Sequence, residues 1–337
     1  MIYPKFIKSG NVIGVPAPSA GASDDLKINK FNNAKKNLEN LGYSAVLSDN
    51  IFNDNKGRSA SSEIRAKEIN DMFKSSDIDM ILCATGGEFL VEILPYVDFD
   101  LLKSNLKYVC GFSDPTWLLY PITTKYDIAT IYGQHYSPFG MEKLHKSQLD
   151  FIDIVSGKSN IEYSYDKYES EYQESITGLE YYNLDKDVYW KSLDNKDISI
   201  SGRIIGGCMD IISELSGTKY DGIDSFNDKY KNDGIIWYFD NCELSYEEVI
   251  RTLWKFNELG YFKYAKGIIF GRFGREFGYN YSDVKSCLED SVISGMNIPI
   301  IYDADISHKS PCINIVNGSI AKVIVKDGKG VISFEYR

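Results

Sequence analysis

Histidine is scarce in this sequence. Its 337 residues include only His135, His145 and His308, so chemistry that needs an imidazole has three candidates. The six cysteines (Cys83, Cys110, Cys208, Cys242, Cys287 and Cys312) are widely spaced and form no Cys-x-x-Cys pair. Neither a disulfide scaffold, typical of short secreted chains, nor a zinc site with closely spaced ligands is expected. Basic residues are in deficit: 37 Lys and Arg against 48 Asp and Glu leave a formal charge of −11. A nucleic-acid partner would need clustered cations to neutralise phosphates, which excludes that class. No hydrophobic run approaches the roughly 18 residues of a membrane span. The N-terminus lacks a signal-peptide layout, so a soluble, cytoplasmic protein is expected.

What the sequence does hold is apolar material, 43% of it, enough for two domains or one large one. The first half alternates strand and helix signals. Strands are expected at residues 11–16, 44–47, 79–84 and 108–112, with helices at 26–41 and 61–73. Such alternation implies parallel βαβ units, whose ligands sit beyond the carboxyl ends of the strands. Residues 141–200 are polar and Tyr-rich, and read as a linker or a segment bordering the cleft, apart from an apolar patch at 151–155. A second region starts at Ile198, with strands expected at 234–239 and 267–271 and a helix at 246–259 between them. The last 40 residues suggest short strands turning at Asn317-Gly318 and Asp327-Gly328.

Two strand-to-turn segments could carry chemistry. In Tyr108-Val-Cys-Gly111-Phe112-Ser113-Asp114-Pro115, Asp114 suits a helix N-cap and Pro115 the first helical position. A serine on that turn would project its hydroxyl beside the N–H groups of the helix start, as in a nucleophile elbow. The alternative is a Ser113 that only helps to cap the helix. The second segment, Met80 to Glu88, ends in Gly86-Gly87, whose backbone could offer N–H groups to an oxyanion. For a base, His308 lies on a loop after a strand, while His135 could line the cleft and His145 reads as surface. Asp240 and Glu243 both remain open as the orienting carboxylate.

Together these pieces resemble the LD-carboxypeptidase family of serine peptidases, family S66, and its microcin C self-immunity branch. The resemblance rests on Gly14-Val-Pro-Ala-Pro-Ser19, Thr85-Gly86-Gly87, Gly111-Phe-Ser113-Asp114, Gly202 to Gly207, Gly217-Thr218, Gly267 to Gly271 and the His308 loop. It implies an α/β fold: a flavodoxin-like N-terminal domain with a parallel sheet, plus a smaller C-terminal α/β domain, swivelling β-barrel-like. The division implied is residues 1–160, carrying the nucleophile, and 161–337, carrying a substrate loop, the acid and the base. It further implies a triad with Ser113 as nucleophile and His308 as base. Gly86, Gly87 and the Asp114 amide would form the oxyanion hole. Counting back from Arg251 puts the acid at Asp240, where the family usually has Glu, with Glu243 as the fallback; Cys208 stands where relatives often carry Asn. In that branch an aromatic loop holds the substrate, and Tyr181, Tyr182 and Trp190 are the matching candidates. The long separation of Ser113 and Asp240 also points to that branch. No cofactor or metal is implied. The expected substrate is a small peptide or an aminoacyl-nucleotide, the assembly a homodimer. The non-enzymatic alternative is a small-molecule binding protein with an impaired triad.

Overall fold

The computed structural model describes residues 1–172, 174–274 and 283–337. Its first part builds parallel strands β1 (Val12–Val15), β2 (Ser44–Leu47), β3 (Met80–Leu82), β4 (Tyr108–Gly111) and β5 (Thr130–Tyr132). Their order, β2-β1-β3-β4-β5, is flavodoxin-like. The inner strands β3 and β4 are buried throughout, which is why they read as unbroken apolar runs rather than alternations. Helices α1 (Asp25–Asn40), α2 (Ser62–Lys74), α3 (Phe99–Ser104) and α4 (Thr116–Thr124) connect them. The starts of α1 and α2 follow from capping, because Asp24 and Ser61 accept the N–H groups of Lys27 and Ile64.

The rest of the chain runs through α5 (Lys146–Val155), β6 (Ile161–Tyr163), β7 (Lys167–Tyr168), β8 (Lys186–Asp187), β9 (Lys191–Ser192) and β10 (Ile198–Cys208). It continues with α6 (Met209–Leu215), α7 (Ile223–Tyr230), β11 (Ile235–Asp240), α8 (Tyr246–Glu258), β12 (Ala265–Gly271) and α9 (Val284–Glu289). The last strands are β13 (Ile300–Ala304), β14 (Ile315–Asn317), β15 (Ile320–Lys326) and β16 (Lys329–Glu335). The second sheet has eight strands in the order β6-β16-β15-β10-β11-β12-β13-β9, and is the wider of the two. Strands β10 to β13 are parallel, with antiparallel flanks. The β15–β16 hairpin turns at Asp327-Gly328, both at positive φ (50° and 75°), as a two-residue turn of matching twist requires.

Two expectations need correction. Of the two readings of residues 141–200 the linker fails, since they supply helix α5 and both edge strands of the second sheet, β6 and β9, whereas Tyr181 and Tyr182 do border the cleft. His145 is not a surface residue; it is buried, and its Nδ1 accepts the Ser147 N–H at the start of α5. The two sheets are also stitched together. Strand β14 leaves the C-terminal region and pairs antiparallel with β5, so that Ile315 lies opposite Tyr132 in the first sheet.

Candidate active site

The carboxyl ends of β3, β4 and β5 meet those of β10 and β11, and the candidate residues collect there. Ser113 follows β4 with φ +62°, a conformation rare for a residue with a side chain and costing roughly 1–3 kcal/mol. The tight turn needs Gly111, where a Cβ would lie 2.9 Å from that of Pro115. Helix α4 begins at Thr116, and Asp114 does not cap it. Instead the buried Asp114 carboxylate accepts the Ser19 hydroxyl and, at 3.0 Å, the Leu90 N–H. That bonding ties the loops after β1, β3 and β4 to one side chain. Burial, offset only in part by these hydrogen bonds, pushes its carboxyl up to about 7.

His308 Nε2 lies 2.8 Å from Ser113 Oγ, and its Nδ1 lies 3.0 Å from Asp240 Oδ1. Asp240 is fully buried at the end of β11, and its other oxygen accepts the Tyr132 hydroxyl at 2.7 Å. Burial disfavours a charged His308, but the facing Asp240 carboxylate outweighs it and holds the imidazole well above its ordinary value. Glu243, the other carboxylate left open by sequence, is exposed on the following loop. That loop is pinned by Asp210, which accepts the N–H groups of Cys242, Glu243 and Leu244.

The His308 loop is itself clamped. Arg272 pairs with the buried Asp305, and donates from Nη2 to the carbonyls of Lys309 at 2.8 Å and Pro311 at 3.0 Å. Asp305 also accepts the Trp190 indole N–H at 2.9 Å. Trp190 is therefore a buried support of this loop and not, as expected, an aromatic of the substrate site.

A cavity of about 520 Å³ opens over Ser113, lined among others by Gly86, Gly87, His308, Tyr181 and Tyr182. A Cβ at Gly86 would sit 3.4 Å from that of Ser113, so this backbone passes directly against the serine. Gly87, at φ +149°, has no room for a side chain because Ser19 Oγ fills the space. His135 also faces the cavity, stacked on Phe112 at 4.2 Å, and burial lowers it to about 3, leaving it neutral. Sequence reasoning missed Tyr132, Asp210, Arg272 and Asp305. The one available signal was position: Tyr132 and Arg272 both stand at a strand's carboxyl end. Among the described residues no group of His, Cys, Asp and Glu is arranged to hold a metal ion.

The LD-carboxypeptidase N-terminal domain profile matches residues 13–133, and the C-terminal domain profile matches residues 201–323. The microcin C7 self-immunity protein MccF of Escherichia coli is 26% identical over 323 residues, which is 92% of this chain and 89% of that one. A solved structure of MccF in complex with aspartyl sulfamoyl adenosine is similar with a TM-score of 0.84 at 24% identity, covering 100% of this chain and 99% of the other. A muramoyltetrapeptide carboxypeptidase from Oxalobacter formigenes gives 0.76 at 20% identity, over 97% and 99%. The two matched domains, in the same order and flanking the same cleft, make this chain a member of the LD-carboxypeptidase family of peptidases, S66.

Proposed function

We propose that this family member is a serine peptidase that cleaves an amide through Ser113, His308 and Asp240, with an aminoacyl-nucleotide of the microcin C type as its substrate. The observation carrying the mechanism is the hydrogen-bonded line from Ser113 Oγ through His308 to Asp240, with steps of 2.8 and 3.0 Å. His308 Nε2 takes the Ser113 proton as Oγ attacks the carbonyl carbon. Backbone N–H groups of the Gly86-Gly87 turn and of Asp114 receive the oxyanion. Asp240 keeps Nδ1 protonated, so that Nε2 is the basic nitrogen and later protonates the departing amine. Water then attacks the acyl-enzyme by the same route in reverse, with His308 as base.

The substrate assignment leans on Phe112, Tyr181 and Tyr182 around the cavity, whose ring faces suit a planar leaving group. A second reading, the L,D-peptide bond of a muropeptide, has Lys27 and Lys30 on the same wall in its favour, because a terminal carboxylate needs a cation. Parallel digests of an aminoacyl-sulfamoyl-adenosine and a muramoyl tetrapeptide, followed by mass spectrometry, separate the two. Release of the amino acid from the nucleoside alone is the expected result, and tetrapeptide cleavage alone would favour the second. Ser113→Ala should abolish both turnover and labelling by a fluorophosphonate probe. A wild-type protein that neither cleaves nor labels would be a binding protein instead.

A further inference from the structure

The acid of the line above has a second partner, and that partner leads back to the nucleophile. Tyr132 ends β5 and is fully buried. Its hydroxyl donates to Asp240 Oδ2 at 2.7 Å and accepts the backbone N–H of Ser113 at 3.3 Å. Ser113, His308, Asp240 and Tyr132 therefore form a closed ring of hydrogen bonds that starts and ends on the same serine. The phenol is held as a donor: burial, and then the Asp240 charge beside it, raise it well above its ordinary value. The ring also crosses the two sheets. Ser113 and Tyr132 come from the first, whereas Asp240 and the His308 loop come from the second.

Resting on the proposed triad, we infer that Tyr132 is a positioning residue that fixes the plane of the Asp240 carboxylate and couples it to the Ser113 backbone. Each carboxylate oxygen then has one directed donor, His308 Nδ1 on Oδ1 and Tyr132 on Oδ2, so Asp240 cannot rotate about its last bond without breaking one of them. With His308 as the only donor, that rotation would break one hydrogen bond instead of two, and the ring that hangs on Oδ1 would be held less firmly. The place of β5 is itself secured from the second region. Strand β14 pairs with it, Asn317 Nδ2 donates to Thr130 Oγ1 at 3.2 Å, and Tyr238, whose ring lies 5.6 Å from that of Tyr132, donates to Asn317 Oδ1 at 2.8 Å.

The donated hydrogen bond also tunes the base. By spreading the Asp240 charge, Tyr132 weakens its pull on a protonated His308, so removing the hydroxyl should raise the pH at which His308 becomes a free base. The other titratable groups facing this ring are Cys208, Cys242, Cys312, Glu88, His135, Tyr172 and Tyr238, and all of them are present in wild type and variant alike.

The test is the pH profile of fluorophosphonate labelling of Ser113, which needs no knowledge of the natural substrate. Tyr132→Phe is expected to slow labelling by about tenfold or more, tenfold being the lower end of the scale for one hydrogen bond to a charged group, and to move the acid limb to higher pH. Site-specific replacement of Tyr132 by 3-fluorotyrosine keeps the shape and strengthens the donor, so the limb should move to lower pH. A slower rate with a stationary profile in both variants would mean a merely structural tyrosine and would overturn the inference. So would two variants indistinguishable from wild type. If the phenylalanine variant does not fold, the fluorotyrosine profile alone decides. Failure of the triad itself looks different: either the wild type would not label at all, or Ser113→Ala would still label, whatever Tyr132 does.

Discussion

Asp114 stands beside the proposed nucleophile and faces the other way. Its carboxyl is raised from 3.8 to about 7 by burial, so the folded protein keeps a proton that the unfolded chain gives up. Stability from this group therefore falls as pH rises through that interval and levels off above it. Asp114→Asn should shrink that decline, because an amide oxygen can still accept the Leu90 N–H and no charge is buried. Thermal melts at pH 4.5 and pH 8 measure it, and an unchanged difference between the two would count against the assignment. Asp114→Ala is harsher: it strands the Ser19 hydroxyl and the Leu90 amide, at a cost of roughly 1–3 kcal/mol, and loosens the loops around Ser113, so labelling should slow as well. The sequence pattern singled out Ser113 and His308 by their places just after strands, and left Asp240 and Glu243 open until the family resemblance favoured Asp240. It pointed to a cap for Asp114, since an Asp before Pro usually is one; the competing partners, Ser19 and Leu90, are distant in sequence. Tyr132, one of 25 tyrosines, had only its place at a strand's carboxyl end to mark it.

At the scale of an element, the decisive unit is the loop from β13 to β14 that carries His308. Its shape is set by the Arg272–Asp305 pair, and Asp305 in turn is held by Trp190, the residue just before the short edge strand β9. Trp190→Phe keeps the ring but loses the donor, which should lower stability by about 1.5–3 kcal/mol, the range for a hydrogen bond to a charged group. Substrate KM should not change, because the indole lies outside the cavity. A raised KM with unaltered stability would return Trp190 to the substrate site. Arg272→Met leaves the Asp305 charge buried without its cation, and should cost roughly 3–5 kcal/mol in a denaturant titration. None of this was legible beforehand. Strands β6 to β9 run to only two or three residues, too short for an alternation to register, and their polar surroundings resemble a loop. The parallel strands β1 to β4, β11 and β12 and the helices α1, α2 and α8, by contrast, announce themselves through apolar runs, helical period and caps. Their expected limits lie within two or three residues of those observed; β5 was not among the expected strands.

For the whole molecule, the line of hydrogen bonds exists only where the two sheets meet. Gly207 at the end of β10 has φ +154°, and a Cβ there would sit 2.7 Å from Thr116 Cγ2, so this glycine lets the second sheet seat against the helix that follows Ser113. The glycine pair was visible in the sequence; the helix it touches was not, because 91 positions separate Gly207 from Thr116 (207 − 116). This assembly makes a prediction about pH. Burial alone would lower His308, but Asp240 at the end of β11 raises it well above 6.5. Being raised in the folded state, the group contributes stability that is fully present below about pH 6.5 and is lost as pH climbs through the raised value. The base is free only over that same climb, so activity should grow as this part of the stability declines. Half-maximal labelling of the wild type is therefore expected above pH 6.5, with the thermal midpoint falling through the same window. In Asp240→Ala burial is opposed only by the weaker upward pull of Cys242, so the residual acid limb should move to lower pH and the matching step in the melting curve should shrink. A wild-type limb already below that pH would mean that burial, and not the carboxylate from the second sheet, governs His308.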